Sequence, residues 1–355
     1  MIIRHGMPII YAKKLIALSS CLKLLSVKNN LNTGLIQNKL PNSTHSNAYI
    51  KLHIAIFLFG FTAILGKLIA LQQIGLVWNR LWISFLGLII LPGVLAGIRQ
   101  LSKRELLRYS GIGILVALHW ITFYGSIKLG NSASVTLACL ATSPLFTSFI
   151  EPFIAKRKIL KTEVVLGLIT IIGVCFISGV GSYYYPSIIA AISSALLASI
   201  FSVLNKKYIG QNNTMSVSFI EFFSGWLFIG LLLPFYFYFD SNFHLLPDQS
   251  TLQHPWHFTL WGIHSDWVYL LILGLLCTCL AFVFNLQALK HVSAYTANLS
   301  INLEPVYGII LAMLIFNENL QLNFEFYMGA CLILSCVIIH PLMLRYERRK
   351  KMIST

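Results

Sequence analysis

Apolar segments of about 18 to 25 residues, separated mostly by short polar linkers, make up most of the chain after residue 51. A helix rises ~1.5 Å per residue, so each segment is long enough to cross the ~30 Å hydrocarbon core of a bilayer. The pattern predicts an all-α membrane protein with ten transmembrane helices, at about 52–71, 76–97, 109–128, 132–154, 164–181, 186–205, 216–239, 267–289, 292–316 and 324–344.

The ninth segment, 292–316, carries polar residues near its middle: Asn298, Asn302 and Glu304, followed by Pro305. At ~100° per residue these polar groups fall on two sides of the helix. An unsatisfied polar group facing lipid costs several kcal/mol, so this helix is predicted to lie inside a bundle, beside a path or a pocket.

The fourth segment has the same design. Thr142 and Ser143 precede Pro144, much as Glu304 precedes Pro305. Proline removes an intrahelical donor, so we predict a kink in each helix and a carbonyl freed near mid-span. The alternative for the fourth segment is that its hydroxyls only bond to their own helix, along the stripe Ser132, Thr136, Ser143, Thr147 and Glu151.

An internal repeat relates the two halves of the chain. Moving along the sequence by about 161 residues takes Gly113 to Gly274 and Pro144 to Pro305. We predict a first repeat at 51–182 and a second at 183–346, with five helices in each. Because five is odd, the second repeat crosses the membrane in the opposite direction, and such inverted repeats are typical of alternating-access transporters with a midplane site between the halves.

Charge sets the predicted orientation. With the N-terminus inside, the inside linkers hold nearly all Lys and Arg, whereas the outside linkers hold only Lys128, and the long outside loop 240–266 holds neither. The positive-inside rule then places both termini in the cytoplasm, including an N-terminal extension 1–50 and a basic tail 347–355. The extension is either largely disordered or a surface helix on anionic lipid.

Composition narrows the function classes. The chain is 57% hydrophobic and 10% charged, with a mean hydropathy of +0.77, which excludes an ordinary soluble domain. The net charge of +15 is accounted for by inside linkers, so no nucleic-acid partner is predicted. The scattered cysteines contain no CxxC pair, and the histidines of loop 240–266 are too loosely spaced for a zinc site, so we predict no metal and no cofactor.

Ionisable and polar residues inside the predicted spans are the candidate site, because each is costly there unless it has a role. Glu304 is the deepest acid, and it binds either substrate or a proton, or supports a kinked neighbour. Lys67 either binds an acidic group or extends to the surface, Arg80 either contacts a carboxylate or anchors at the interface, and His119 is either structural or part of an aromatic pocket. The candidate substrate-binding residues are Glu304, Lys67, His119, Trp120, Tyr124, Asn298, Asn302, Ser143, Thr142 and Arg80.

Other intramembrane polar residues are weaker candidates. They include Glu221, Asn285 and Gln287, whereas Glu151 and Asn205 lie close enough to the cytoplasmic ends to meet headgroups or basic linkers only.

The motifs TSPLF at 142–146, LEPVY at 303–307 and the closing INLEPVYGIILAMLIFNENL resemble the EamA family of the drug/metabolite transporter superfamily. The opening FLFGFTAILGKLIAL and LVWNRLWISF look like the start of a first EamA unit, so the resemblance covers about 52–344. EamA units often place a Glu after the fourth and ninth helices; Glu318 fits that place in the second half, but Arg157 stands there in the first.

The resemblance implies a cell-membrane transporter that exports small metabolites such as amino acids. No G-x-x-x-x-G-K-[ST] motif is present, so ATP drive is not predicted, and proton coupling and exchange with a counter-substrate both stay open. The alternatives are an intramembrane enzyme, for which no H-E-x-x-H or G-x-S-x-G motif is found, and a membrane sensor or scaffold. The sequence leaves the oligomeric state open.

Overall fold

The structure is a computed structural model that describes residues 42–156, 158–177, 185–240, 243–247, 259–260, 263–317 and 324–353. The described residues from His45 onward form one compact unit. Most of the predicted N-terminal extension lies outside the described residues, as do His254 and His257 of the loop 240–266.

The described chain is almost entirely helical. The first half contains α1 Asn42–Leu68, α2 Gln73–Ile89, α3 Val94–Gln100, α4 Lys103–Gly130, α5 Ala133–Leu140, α6 Ser143–Ala155 and α7 Lys161–Ile177. The second contains α8 Tyr185–Tyr208, α9 Thr214–Phe239, a two-residue hairpin of β1 Thr259–Leu260 and β2 Ile263–His264, α10 Ser265–Leu271, a π-helical segment Ile272–Leu280, α11 Ala281–Leu289, α12 Ala294–Ile301, α13 Glu304–Phe316 and α14 Phe324–Ile353.

Seven helical spans in the described residues are long and apolar enough to cross a membrane, and a bent pair makes eight. The protein is therefore a multi-pass membrane protein. The two predicted spans that fall short are the fifth, where α7 has 17 residues, and the tenth, where only Phe324–Cys336 of the longer α14 is apolar.

The second predicted span, 76–97, needs correction because it is not one straight helix. α2 ends at Ile89, and α3 leaves it at an angle of 94°. Pro92 cannot continue the hydrogen-bonding pattern of a helix, and Gly93 has a φ of +87°, which a side chain would disfavour.

The two proline-containing spans are each interrupted at the same place. α5 and α6 are separated by Ala141 and Thr142, and α12 and α13 by Asn302 and Leu303. The paired helices have equal lengths of 8 and 13 residues, and a proline is the second residue of each later helix. Each pair still forms one span of 23 residues.

Equivalent glycines mediate equivalent close contacts in the two halves. Gly113 on α4 lies against the Glu221 backbone and the Ser224 side chain of α9. Gly274 in the π-helical segment lies against the Ile83 side chain and, less closely, the Arg80 carbonyl oxygen of α2. Arg80 and Glu221 are each the eighth residue of their helix. The repeat seen in the sequence is thus also a repeat of helix packing.

The contact at Gly113 predicts a stability effect. Replacing Gly113 by valine should lower the melting temperature of the purified protein, because the new Cβ would meet the Glu221 backbone and overpacking costs about 1–3 kcal/mol. Gly111→Val is the matched control, since Gly111 is exposed two residues earlier on α4 and no atom lies within 4 Å of its Cβ position. Equal melting temperatures for the two variants would contradict the close α4–α9 contact.

Candidate functional site

A cavity of about 70 Å³ lies between the two halves. Since one water needs roughly 10–15 Å³ of such space, the cavity has room for several waters or for part of a small solute. Seven of the ten predicted binding residues line it: Arg80, His119, Trp120, Ser143, Asn298, Asn302 and Glu304.

Arg80 is buried in the wall of this cavity, with 2% of its surface exposed. Its Nε donates to Thr278 Oγ1 at 2.7 Å, and one terminal nitrogen donates to Tyr124 Oη at 2.6 Å. The guanidinium carbon lies 3.8 Å from the centroid of the Trp120 ring, a cation–π contact. Arg80 is therefore not an interfacial anchor, and its other terminal nitrogen forms no hydrogen bond within the described part of the chain.

The π-helical segment positions Thr278 for this contact. Thr278 Oγ1 donates to the carbonyl oxygen of Leu273, five residues earlier, at 2.6 Å. The wide π turn presents that carbonyl to the hydroxyl, and π-helical turns are frequent at functional sites. Because the Thr278 hydroxyl donates its hydrogen to the Leu273 carbonyl oxygen, the hydroxyl oxygen accepts from Arg80 Nε.

Glu304 is the first residue of α13 and lines the same cavity, with 5% of its surface exposed. The Thr62 side chain of α1 adjoins its carboxylate. The backbone N–H groups at a helix start favour a negative charge there. The cavity therefore holds a cation, Arg80, and an acid, Glu304, that attract each other.

Polar contacts join the two interrupted helices. Asn302 Nδ2 donates to the carbonyl oxygen of Ala141 at 3.1 Å, and Asn298 Nδ2 donates to Thr147 Oγ1 at 2.7 Å. Ser199 of α8 donates to the Ser143 carbonyl oxygen at 2.8 Å. Carbonyl groups at the first interruption are therefore satisfied by side chains from the second half, which couples the two halves at the cavity.

Aromatic rings form the rest of the wall. His119 Nδ1 lies 2.9 Å from the Ser194 carbonyl oxygen and 2.8 Å from its hydroxyl, so the ring is fixed by α8 as well as lining the cavity. Its centroid lies 5.4 Å from that of Phe201, and the centroids of Trp120 and Phe282 are 6.4 Å apart. These faces suit an apolar or cationic part of a ligand.

Three of the predicted residues do not line the cavity. Tyr124 lies behind it as the partner of Arg80, and the Thr142 hydroxyl donates to the Cys139 carbonyl oxygen at 2.9 Å. The Lys67 ammonium lies 4.6 Å from the centroid of the Phe316 ring, an arrangement that the sequence did not indicate.

The expectation that Glu151 meets only headgroups or basic linkers is wrong. This carboxylate is buried and accepts hydrogen bonds from the backbone N–H groups of Ala294 at 3.2 Å and Tyr295 at 2.9 Å. It therefore satisfies the first turn of α12 instead of meeting headgroups. Asn205 is also buried and donates to Glu221 Oε2 at 3.3 Å.

Sequence reasoning missed most of the apolar lining and two polar residues, Thr62 and Ser202; Asn285 was only a weaker candidate. The apolar lining residues look like any others in a transmembrane helix, and no local signal marks them. The missed set is Phe59, Thr62, Phe123, Leu140, Ala198, Phe201, Ser202, Phe282 and Ile301.

The described residues contain no group of three or more His, Cys, Asp or Glu side chains that could hold a metal ion.

Comparison with known proteins gives consistent matches. The model of the EamA-like transporter family matches twice, over residues 46–179 and 185–340. An uncharacterized transporter of Clostridium kluyveri is 24% identical over 290 residues, which cover 78% of this chain and 87% of that protein. One solved crystal structure shares the fold with a TM-score of 0.61 and 17% identity, over 85% of this chain and 98% of the other.

Proposed function

Because the chain belongs to the EamA-like transporter family, we propose that it is a secondary transporter that exports small metabolites, such as amino acids, across the cell membrane. The observation that carries this proposal is the cavity between the halves, with Arg80 and Glu304 in its wall. In alternating access, a cavity near the midplane opens first to one side of the membrane and then to the other.

The proposed substrate is small and carries both charges. A carboxylate would pair with the available terminal nitrogen of Arg80, because guanidinium groups bind carboxylates with strong, directional hydrogen bonds. An ammonium group would lie near Glu304, and the rings of Phe201 and Phe282 would contact the apolar part. The side-chain amides of Asn298 and Asn302 each already donate to a protein oxygen, so these residues would hold the two interrupted helices together around the substrate.

The proposed topology has ten transmembrane helices in two inverted repeats, with both termini in the cytoplasm. The alternation of linkers rich in Lys and Arg with linkers that hold almost none supports this orientation. Packing of α7 against α14 supports counting both as spans, since Gly173 lies against the Gly329 carbonyl oxygen and Ile333. Small residues at such crossings are typical of helix pairs inside membranes.

Alternating access would break and remake the contacts between the halves. Glu151 holds the start of α12 at the end predicted to be cytoplasmic, and Asn302 holds the interruption between α5 and α6. We propose that the first of these contacts opens when the cavity faces inward. Energy for export would come from an ion gradient or from exchange, because the sequence has no phosphate-binding motif for ATP.

The proposal predicts a measurable export activity. Bacteria that express the protein should retain less of at least one labelled compound from a panel of amino acids and their toxic analogues than cells with an empty vector, and should resist the matching analogue. Expression is matched by immunoblotting of membranes. Unchanged retention and resistance across the panel, with equal uptake, would contradict the proposed substrate class and direction.

A further inference from the structure

A second buried acid lies outside the site described above. Glu221 has 0% of its surface exposed and is the eighth residue of α9, the place that Arg80 occupies in α2. Its Oε2 accepts from Asn205 Nδ2 at 3.3 Å, whereas its Oε1 has no hydrogen-bond partner among the described residues. A buried ionised carboxylate with one neutral donor is costly at membrane depth.

Three other oxygens with the same property belong to the neighbouring helices. Ser202 Oγ and Asn205 Oδ1 on α8, and Asn285 Oδ1 on α11, are buried and have no hydrogen-bond partner in the described part of the chain. All three residues are more than nine-tenths buried. Ser202 and Asn285 also line the cavity, and Asn205 follows Ser202 by one helical turn.

The repeat supports a common location for Asn285 and Glu221. The shift of 161 residues that takes Gly113 to Gly274 also takes Tyr124 to Asn285. In the first half Arg80 bonds to Tyr124 at 2.6 Å. The corresponding positions in the second half, by helix start and by this shift, are Glu221 and Asn285, where an acid replaces the base and an amide replaces the phenol.

No described group donates a hydrogen bond to Glu221 Oε1. Glu221, Asn205 and Asn285 each present an unpartnered acceptor oxygen, and Ser202 can supply a single hydroxyl hydrogen. One proton added to Glu221 Oε1 turns an acceptor into a donor and removes the negative charge.

We propose that Glu221 is a proton-binding site that couples proton entry to substrate export. This proposal rests on the proposed transport function. Glu221 does not line the cavity in this structure, so the carboxylate takes its proton in an outward-facing state in which water reaches it, and it releases that proton to cytoplasmic water in the inward-facing state. One proton and one positive charge cross per cycle, and no covalent bond of the substrate changes. Arg80 and Glu304 hold substrate, while Glu221 holds the proton.

Other titratable groups on the helices packed against α9 have different partners. Tyr109 of α4 donates to the Tyr208 carbonyl oxygen at 2.7 Å, His119 of α4 is bound by Ser194, and Arg80 of α2 is held by Thr278 and Tyr124.

The remaining charged groups on these elements lie toward the helix ends. On α4 they are Lys103, Arg104, Glu105, Arg108 and Lys128; Glu105 accepts from Asn212 Nδ2 at 3.0 Å, and Lys128 donates to the Ile69 carbonyl oxygen. Arg99 of α3 is exposed, Lys206 of α8 donates to the Leu289 carbonyl oxygen at 2.6 Å, and Lys207 is exposed. α11 carries no titratable residue, and Lys290, directly after it, donates to the Asn212 carbonyl oxygen at 2.7 Å. Glu221 is thus the buried carboxyl group on these helices that is available to bind a proton.

The first test measures proton binding without any substrate. Infrared difference spectra of the purified full-length protein in lipid, recorded as pH is stepped, should contain a protonated-carboxyl band that is lost in Glu221→Gln. Glu325→Gln, which removes an exposed carboxyl at the start of α14, should leave the band unchanged. Glu221→Asp keeps a carboxyl and should shift the band. No titrating band in the wild type, or a spectrum that Glu221→Gln leaves unchanged, would overturn the proposal.

The second test measures coupling in the retention assay. A protonophore should abolish expulsion of the panel compound by wild-type cells, and cells with Glu221→Gln should lose the protonophore-sensitive expulsion. Expulsion by wild-type cells that a protonophore leaves unchanged would overturn the coupling. If wild-type cells expel no compound of the panel, the proposed function fails, while the infrared band still decides separately whether Glu221 binds a proton.

Discussion

Replacing Arg80 by glutamine is expected to lower export by at least about tenfold, because truncating one member of a buried charge pair costs roughly 2–5 kcal/mol and each 1.4 kcal/mol is tenfold. The variant removes the charge that would bind a substrate carboxylate. It also removes the hydrogen bonds to Thr278 and Tyr124 and the contact with the Trp120 ring.

Arg80→Lys separates charge from geometry. Lysine keeps the positive charge, but its ammonium group cannot stack on Trp120 as a plane while bonding to both hydroxyls. We therefore expect export in the order wild type, Arg80→Lys, Arg80→Gln, measured as the initial rate of loss of labelled compound from preloaded cells.

Arg99→Gln is the matched control, since Arg99 is exposed on α3 and lies outside the cavity. Gel filtration of each purified variant checks that the fold is kept. If Arg80→Gln and Arg99→Gln both export like the wild type, Arg80 does not bind substrate, and the cavity is not the site.

Local chemistry explains what the sequence predicted well. A proline disrupts the helix in which it lies, so Pro144 and Pro305 predicted the interruptions directly. The interrupted helices begin and end at equivalent residues in both halves. The acid beside the second proline, Glu304, followed from the same motif. A fixed shift along the chain revealed the duplication, because the equivalent glycines 113 and 274 sustain equivalent helix contacts.

The depth of each side chain in the protein and the direction in which it faces were harder to predict, because both depend on neighbouring helices. Arg80 lies close to the start of its helix in the sequence, but the partners that bury it come from α4 and the π-helical segment. The bend at Pro92 was not predicted, because Pro92 lies within an apolar run that continues past it. Phe201 and Phe282 resemble lipid-facing residues until their helices are placed beside the cavity.

One feature of the sequence could have improved the prediction of the site. The shift of 161 residues does not align α2 with α9, so the correspondence between Arg80 and Glu221 needs the helix starts, Gln73 and Thr214. Once those starts are known, two ionisable residues of opposite charge occupy the same position in the two halves. That pairing identifies Glu221 as more than a weak candidate.

Glu304→Gln is expected to reduce export about as strongly as Arg80→Gln, but only for compounds that carry an ammonium group. Glutamine has nearly the same shape as glutamate and keeps a side-chain oxygen beside Thr62, so the substitution removes the charge and little else. An ammonium group that enters the cavity would then lose its counter-charge, which costs roughly 2–5 kcal/mol when the partner is buried. Panel compounds that lack an amine should keep most of their export.

The comparison of Glu304→Gln with Glu304→Leu distinguishes a binding role from a structural one. If Glu304 binds the ammonium group, both variants lose export of amines, because both lack the negative charge. If Glu304 only supports the start of α13, the glutamine variant exports like the wild type, whereas leucine lowers both the melting temperature and export, since it cannot hydrogen bond at the helix start. Glu325→Gln provides the control for loss of an exposed carboxyl. Initial rates for an amino acid and for its deaminated analogue, measured in the same cells, therefore decide whether the charge at Glu304 selects the substrate.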